Sequence, residues 1–255
     1  KSANMSVLIS LRRAVRDVIV SALRPVFPLM PEKMRGEMEF RTSDFAMYYP
    51  YRGPLNGMIA RAETCRRILR TLNIDEIVET GTYRGASTEW FGWFGLPVTS
   101  IEISPRFYAF AQMRLGYLKN VTLRFGGSDE ELRKMKSQMA GKRMFAYLDA
   151  HWNEHLPLRG EIDAILDATT DYVIVIDDFK VPDDEGYKYD DYGPVGACTL
   201  DYIQPSLAET MRIFFPAVSS DEEIVGRSGW VVIAPEGEIA DGLREIDLLR
   251  EWRAS

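Results

Sequence analysis

Short apolar runs alternate with stretches of helix length through most of the chain. The first five strand-like runs are residues 76–81, 98–104, 121–128, 144–150 and 172–179. The intervening stretches that are long enough for helices are residues 86–95, 105–115, 129–139 and 157–169. Because a parallel neighbour needs a crossover connection of about a dozen residues or more, this alternation predicts strands that pair in parallel.

Two further strand-like runs, residues 212–218 and 229–234, follow a helical stretch near residues 196–208. The connection between these two runs has no room for a helical crossover, so we expect them to pair antiparallel. The sequence therefore predicts an α/β fold, namely a Rossmann-like, doubly wound and mostly parallel sheet of seven strands whose last strand is antiparallel. Helices are expected on both faces of that sheet.

The beginning of the chain has a different character. Residues 6–23 place apolar side chains on one helical face with arginines among them, and residues 55–72 again show helical spacing. We predict an N-terminal helical extension over residues 1–54 and one domain over residues 55–255. The basic helix is expected to pack on that domain or on a second copy of the chain, as in a homodimer. Contact with an anionic membrane surface is the alternative that the pattern leaves open.

Composition indicates which binding partners and which cellular compartment to expect for this chain. The 255 residues carry a formal net charge of −7, whereas a nucleic-acid-binding protein needs a basic face. The two cysteines, Cys65 and Cys198, have the spacing of neither a disulfide framework nor a metal site, which favours a reducing cytoplasm. The sequence contains no apolar run of about 18 residues, so no transmembrane segment is predicted.

Polar residues stand where the predicted strands end, which is where ligands bind in sheets of this kind. Gly81 and Gly85 follow the first strand and allow a tight turn with close backbone approach to a ligand. Their GxxxG spacing differs from the GxGxxG of pyrophosphate-binding turns, which argues against a nicotinamide or flavin enzyme. Glu102 ends the second strand and can accept hydrogen bonds from two ribose hydroxyls. Ser128 ends the third strand and either borders an adenine ring or caps the next helix.

Three carboxylates follow the fourth and fifth strands, namely Asp149, Asp177 and Asp178. Like charges placed side by side are costly to bury, and a bound hard cation offsets that cost. Oxygen ligands favour Mg²⁺, Mn²⁺ or Ca²⁺ over zinc. The alternative is that one aspartate caps a helix while the others face water.

His151 and His155 are the two histidines of the chain, and both lie within six residues of Asp149. A general base that works near neutral pH is typically a histidine, whose ordinary pKa is ~6.5. For either residue, a structural hydrogen bond is the alternative.

Taken together, the strand-end residues resemble a known family. Residues 78–85 with Ser87 are similar to the first cofactor motif of class I S-adenosylmethionine-dependent methyltransferases. The resemblance is closest to the metal-dependent O-methyltransferases of the catechol, caffeoyl-thioester and macrocin-type antibiotic-sugar branch. Glu102, Ser128, Asp149 and the Asp177-Asp178 pair follow in the same order, and the match extends over about residues 56–235.

The resemblance implies a role for each motif residue. The methionine part of the cofactor would be surrounded by Gly81, Tyr83, Gly85 and Ser87, on a loop supported by Glu79. The ribose would be held by Glu102, and the adenine would be bordered by Ser128 and Asp129. The divalent metal, taken as Mg²⁺, would be bound by Asp149, Asp177 and Asp178, with Asp149 also next to the cofactor and the reacting atoms.

The chain departs from the family pattern at the base. The catechol and caffeoyl types have a lysine where this chain has Trp152, and the sugar types have an acidic base where this chain has His151. We therefore expect His151 to be the base.

The expected activity is divalent-metal-assisted O-methylation of a small-molecule hydroxyl, of sugar or natural-product type. Residues 180–195 are expected to form either a lid or wall of the substrate site or only a solvated rim. The Tyr-rich residues 48–52 are expected to form the opposite wall. Three alternatives stay open: a cofactor-binding domain without catalysis, another metal-dependent enzyme such as a hydrolase or a hydroxylase-like relative, and an N- or C-methyltransferase.

Overall fold

The structure is a computed structural model that describes residues 25–42, 48–152 and 155–253, together with residues 18, 21 and 22. The helix predicted over residues 6–23 lies outside the described residues, apart from three positions. Its packing on a second copy or on a membrane surface therefore stays a prediction.

Eight strands form one sheet. They are β1 (Glu76–Thr80), β2 (Val98–Glu102), β3 (Val121–Phe125), β4 (Met144–Leu148), β5 (Tyr172–Ile176), β6 (Met211–Pro216), β7 (Val231–Pro235) and β8 (Leu249–Glu251). Their order across the sheet is β3-β2-β1-β4-β5-β7-β6-β8. Strands β1 to β5 are parallel, whereas β7 runs antiparallel to both β5 and β6. The predicted fold class is confirmed. The eighth strand, which pairs with β6, is too short to leave a sequence pattern.

The helices that pack around this sheet are mostly short. They are α1 (Glu32–Thr42), α2 (Ile59–Thr71), α3 (Ala86–Gly92), α4 (Pro105–Leu115), α5 (Ser128–Lys134), α6 (Lys136–Met139), α7 (Leu158–Ala168), α8 (Leu200–Ile203) and α9 (Glu238–Arg244). The helix predicted over residues 129–139 is interrupted at Met135, which separates α5 from α6. Helices α1 and α9 were not predicted.

The sheet is covered on both faces, as parallel strands require. All residues of β1, β2, β4 and β5 are buried, while the edge strand β3 is partly exposed. Successive side chains alternate between two apolar clusters. Ile77 and Phe145 pack with α2 and α9, whereas Val78 and Ala146 pack with α5 and α7.

Helix α1, in the predicted extension, packs closely on α4. A Cβ at Gly36 would lie 1.9 Å from the carbonyl oxygen of Arg106, so only glycine allows this approach. Glu39 pairs with the Arg106 guanidinium across the same contact. The domain boundary expected at residue 54 stays a prediction.

The strand order reverses between β1 and β4, and this reversal positions the site. From β1 the chain proceeds to β2 on one side, and β4 lies on the other. Crossovers on the two faces leave a crevice at the carboxyl ends of these two strands. Thr80 and Leu148 are aligned in the register, so Gly81 and Asp149 come next to each other.

Two further findings concern the chain as a whole. Cys65 and Cys198 are both free and buried. Within the described ranges, the helices are too short and too polar to cross a lipid bilayer.

Candidate active site

A cavity of about 840 Å³ opens at the carboxyl ends of β1, β2, β4 and β5. Nine of the candidate residues singled out from the sequence line it, namely Gly81, Tyr83, Ser87, Glu102, Ser128, Asp149, His151, His155 and Asp178. Residues 50–52 and residues 188–190 line it as well, so both stretches expected to form walls contribute to the cavity. The crevice therefore brings together the ends of strands that are far apart in sequence.

The turn after β1 depends on Gly81. Its φ is +80°, and a Cβ there would lie 2.0 Å from the carbonyl oxygen of Asp149. Gly85 has a φ of +73° and directly precedes α3, where it packs against Leu115 and does not line the cavity. Gly81 thus permits the close contact between the β1 and β4 ends, while Gly85 shapes the turn.

Glu79 supports this loop from below. Its Oε2 accepts hydrogen bonds from the hydroxyls of Ser100, at 2.6 Å, and of Thr88. These bonds connect β1 to β2 and to α3. Burial raises the pKa of Glu79 to about 7, although both hydroxyls oppose that shift. Glu79 does not line the cavity, so the supporting role that the resemblance implies stays a prediction.

Glu102 lines the cavity with part of its carboxylate still available. One oxygen accepts from the backbone N–H of Tyr83 and the other from that of Ser104, each at 2.7 Å. Burial raises the pKa of Glu102 to about 7 against the effect of these bonds. A carboxylate has about four acceptor positions, so two remain for the hydroxyls of a ligand.

Only some of the residues predicted to border the adenine and the methionine part of the cofactor line the cavity. Ser128 begins α5 and lines the cavity, but Asp129 does not line it. The Oδ2 of Asp129 instead accepts a hydrogen bond from Arg133 Nη1, at 2.8 Å on the same helix. Ser87 lines the cavity and accepts a hydrogen bond from the Leu55 N–H at 3.0 Å.

Asp149, His151 and Asp178 form a group whose ligand atoms all lie within 4.8 Å of one another. The His151 side chain is buried, and its Nε2 has no hydrogen-bond partner. This nitrogen lies 3.9 Å from Asp149 Oδ1, 4.0 Å from Asp178 Oδ2 and 3.8 Å from Asp190 Oδ2. These separations are too long for hydrogen bonds. They are shorter than about 4.2 Å, which is twice a common metal–ligand distance, so one ion between two of these atoms could bind both.

Burial and neighbouring charges shift the pKa values of this group in ways that a bound cation would offset. Desolvation raises the pKa of Asp149 well above its ordinary range, and the Asp178 carboxylate adds to that shift. Burial lowers the pKa of His151, although Asp178 and Asp190 oppose this. A bound cation would stabilise the ionised carboxylates and satisfy the unpartnered nitrogen. The side chains present therefore fit a divalent metal.

The structure does not bring Asp177, the third predicted metal ligand, to this group. Its carboxylate forms a fully buried ion pair with Arg61 and accepts a hydrogen bond of 2.6 Å from the Tyr147 hydroxyl. Asn56 Nδ2 lies 3.4 Å from the same oxygen. The next residue, Asp178, has a φ of +46°, a left-handed conformation that is costly outside glycine and frequent at functional sites. The two adjacent aspartates therefore face different partners.

Three important residues were not identified from the sequence. Arg61 lies within the apolar pattern of α2, and a charge on that face was the available signal. Asp190 belongs to the stretch predicted as a wall, with nothing to separate it from the other acids there. Arg114 is buried against Glu89, and its guanidinium lies 4.0 Å from the ring centre of Tyr48. It also donates to the Tyr48 carbonyl, which holds residues 48–52 near the cavity.

Comparisons with known proteins establish the fold. Neither a protein-family model nor a curated protein sequence matches this chain. A candidate O-methyltransferase from Klebsiella pneumoniae is 16% identical with a TM-score of 0.52, over 88% of this chain and 97% of that one. A candidate caffeoyl-CoA O-methyltransferase from Staphylococcus aureus is 15% identical with a TM-score of 0.51, over 69% and 82%. The methyltransferase domain of bacterial CtHen1 is 15% identical with a TM-score of 0.50, over 70% and 98%. The chain therefore has the fold of class I S-adenosylmethionine-dependent methyltransferases.

Proposed function

We propose that this protein is an S-adenosylmethionine-dependent O-methyltransferase that acts on a small-molecule hydroxyl with the help of a divalent metal. The observation that carries the proposal is the single cavity, in which Gly81 and Glu102 lie together with the Asp149, His151 and Asp178 group. A cofactor and a cation that bound at these two places would be neighbours. Their proximity is what metal-assisted methyl transfer to oxygen requires.

The cofactor would occupy the part of the cavity at the ends of β1, β2 and β3. Glu102 would accept hydrogen bonds from the ribose hydroxyls through the two acceptor positions that the backbone leaves available. Ser128 would border the adenine, and the turn from Gly81 to Ser87 would surround the methionine part. Glu79 would hold that turn from beneath.

Asp149, Asp178 and His151 would hold the metal. When bound, the cofactor supplies a methyl group on a sulfonium, and the metal orients an acceptor hydroxyl and lowers its pKa. In the transfer the acceptor oxygen gains the methyl carbon, the electron pair of the broken C–S bond stays on sulfur, and the hydroxyl proton must be accepted. The chain's own contribution is to fix the two reactants in line and to accept that proton.

The position of His151 favours a ligand over the base that the sequence analysis expected. Its unpartnered Nε2 lies among the carboxylates, and a nitrogen that binds a metal cannot accept a proton. Among the residues that the structure describes, four carboxylates line the cavity, namely Glu102, Asp149, Asp178 and Asp190. Glu102 is assigned to the ribose and two aspartates to the metal. We therefore assign proton acceptance to Asp190, one of whose oxygens already accepts from the Tyr192 hydroxyl at 2.5 Å.

The size and lining of the cavity support a small acceptor. Its volume of about 840 Å³ must contain both the cofactor and the acceptor, and small-molecule pockets are typically ~300–1,000 Å³. Tyr51, Trp152 and Tyr189 line it, and such rings stack well on aromatic or sugar rings.

Calorimetry with S-adenosylhomocysteine, followed by a turnover assay on a panel of phenolic and sugar hydroxyls with and without EDTA, tests the proposal. We expect binding at one site per chain, its loss in Glu102→Ala, and transfer that EDTA abolishes. Binding without transfer to any acceptor would indicate a cofactor-binding domain instead. Metal binding without cofactor affinity would indicate a different metal enzyme.

A further inference from the structure

His151 lies between the carboxylates of Asp149 and Asp178, and its side chain has no hydrogen bond that would explain its burial. The side chain is 1% exposed, and its Nε2 has no hydrogen-bond partner. The three carboxylates within 4.0 Å of this nitrogen come from the ends of β4 and β5 and from the loop before α8. An imidazole nitrogen that converges with carboxylates from separate segments is arranged as a ligand.

The carboxylate that would complete an all-oxygen site is used elsewhere. Both oxygens of Asp177 have partners, since Arg61 pairs with Oδ1 and Tyr147 donates to Oδ2. Arg61 is fully buried and could not move away without leaving its charge unpaired. With Asp190 assigned to proton acceptance, the protein ligand set is two carboxylates, Asp149 and Asp178, and one imidazole.

We propose that this ligand set selects a divalent transition metal, such as Fe²⁺, Co²⁺ or Zn²⁺, over Mg²⁺. Imidazole suits these ions, whereas Mg²⁺ prefers oxygen ligands in near-ideal octahedral geometry. The inference rests on the proposed function and deepens it, because it names the class of ion that the same site takes. It replaces the Mg²⁺ expected from the sequence.

Nuclear magnetic resonance of the full chain, labelled with ¹⁵N-histidine, tests the ligand directly. His151 and His155 are the two histidines of the sequence, so His155 serves as an internal control. We expect one equivalent of Zn²⁺ to shift the ring nitrogen of His151 and to leave His155 unchanged, and Mg²⁺ to shift neither. An unchanged His151 signal at saturating Zn²⁺ would overturn the proposal.

Competition calorimetry with Zn²⁺ and Mg²⁺ provides a second readout that does not depend on activity. His151→Gln should weaken Zn²⁺ binding by at least about 100-fold, because loss of even an outer partner of a metal site commonly costs 10–100-fold. His151→Asp restores an all-oxygen set and should lower the Zn²⁺-to-Mg²⁺ affinity ratio by at least about tenfold. His155→Gln is the matched control and should leave that ratio unchanged. An equal ratio in His151→Asp and the unmodified chain would refute the selection, and a ratio is insensitive to partial misfolding.

The same samples, titrated with S-adenosylhomocysteine, separate the two proposals. Cofactor binding and methyl transfer with an unaltered metal ratio would remove this inference and leave the proposed function. Zn²⁺ binding through His151 in a chain without cofactor affinity would remove the proposed function and leave the metal site.

Discussion

The absent side chain of Gly81 sets the distance between the two halves of the cavity. Its backbone lies against the carbonyl of Asp149, so the turn after β1 and the end of β4 are in direct contact. The orientation of the Glu102 carboxylate is likewise fixed locally, because two backbone N–H groups donate hydrogen bonds to it. Substitutions at these two residues test different parts of the proposed site.

Gly81→Ala should destabilise the fold by more than about 2 kcal/mol, because strain at positive φ adds to displacement of the Asp149 backbone. Gly95→Ala is a matched control. Gly95 has a similar φ of +78°, and a Cβ there would meet nothing within 4 Å. The control should therefore lose only the conformational part, about 1 kcal/mol. Chemical unfolding curves measure both, and equal losses would show that the contact with Asp149 is unimportant.

Binding of S-adenosylhomocysteine should strengthen as pH rises from 6 to 8. The pKa of Glu102 is raised to about 7, so the carboxyl is mostly protonated at pH 6 and mostly ionised at pH 8. Ribose hydroxyls would donate to the ionised form, which releases the proton on binding and gives an affinity gain of up to about tenfold. Calorimetry across this range measures the gain. Glu102→Gln should bind more weakly and lose the pH dependence, and a pH-dependent variant would exclude Glu102 as its origin.

At the scale of elements, a buried ion pair connects α2 to the end of β5. Arg61 reaches from α2 to Asp177, and its Nη2 also donates to the Leu55 carbonyl at 3.0 Å. Asp177 directly precedes Asp178 in the chain, so this ion pair supports the segment that presents a proposed metal ligand. The contribution of this ion pair to the free energy of unfolding can be measured by substitution.

Arg61→Met should lower the free energy of unfolding by about 3–5 kcal/mol, because Asp177 would remain as an unpaired buried charge. The double variant Arg61→Met, Asp177→Asn should recover part of that loss, since the second change removes the orphaned charge. Arg67→Met, on the exposed side of the same helix, is the control and should change stability by less than about 1 kcal/mol. Additive losses in the double variant would contradict coupling between the two residues.

At the scale of the whole molecule, buried carboxyls make the fold sensitive to pH near neutrality. Glu79, Glu102 and Glu161 each have a pKa raised to about 7, and burial is the largest cause in every case. A carboxyl with a raised pKa contributes stability below its unfolded pKa and loses that contribution as pH rises through the folded pKa. The chain should therefore be less stable at pH 8 than at pH 5.

Glu79→Gln should reduce the loss of stability between pH 5 and pH 8 by about 2 kcal/mol, as expected for a folded pKa of about 7 against ~4.3 unfolded. The control is Glu63→Gln. Its salt bridges with Arg66 and Arg67 lower the pKa of Glu63 to about 2, so its titration falls outside that range. Urea unfolding at several pH values measures both variants, and an identical slope for Glu79→Gln would refute the assignment.

The sequence anticipated much of this molecule because the relevant signals are local. Apolar runs of strand length alternate with helices, and a strand buried on both faces has few other interpretations. Residues that end parallel strands meet at one edge of the sheet, so the sequence alone predicts that Gly81, Glu102, Asp149 and His151 share one cavity. The short strand β8 and the helix α1 left no comparable pattern.

Side-chain direction could not be predicted in the same way. Asp177 and Asp178 are adjacent and chemically identical, yet one pairs with Arg61 and the other lines the cavity. Which aspartate faces the cavity depends on the left-handed backbone at Asp178 and on Arg61, which lies 116 residues before Asp177 in the chain. The convergence of His151 and Asp190 likewise depends on how the loop before α8 folds back. By itself the sequence determined the alternation of strands and helices and the position of the cavity at the strand ends. These features follow from hydrophobic periodicity and from the residues that end each strand, and both are visible in short stretches of sequence. Only the tertiary structure decided which carboxylates face the cavity, because partners distant in sequence compete for each one.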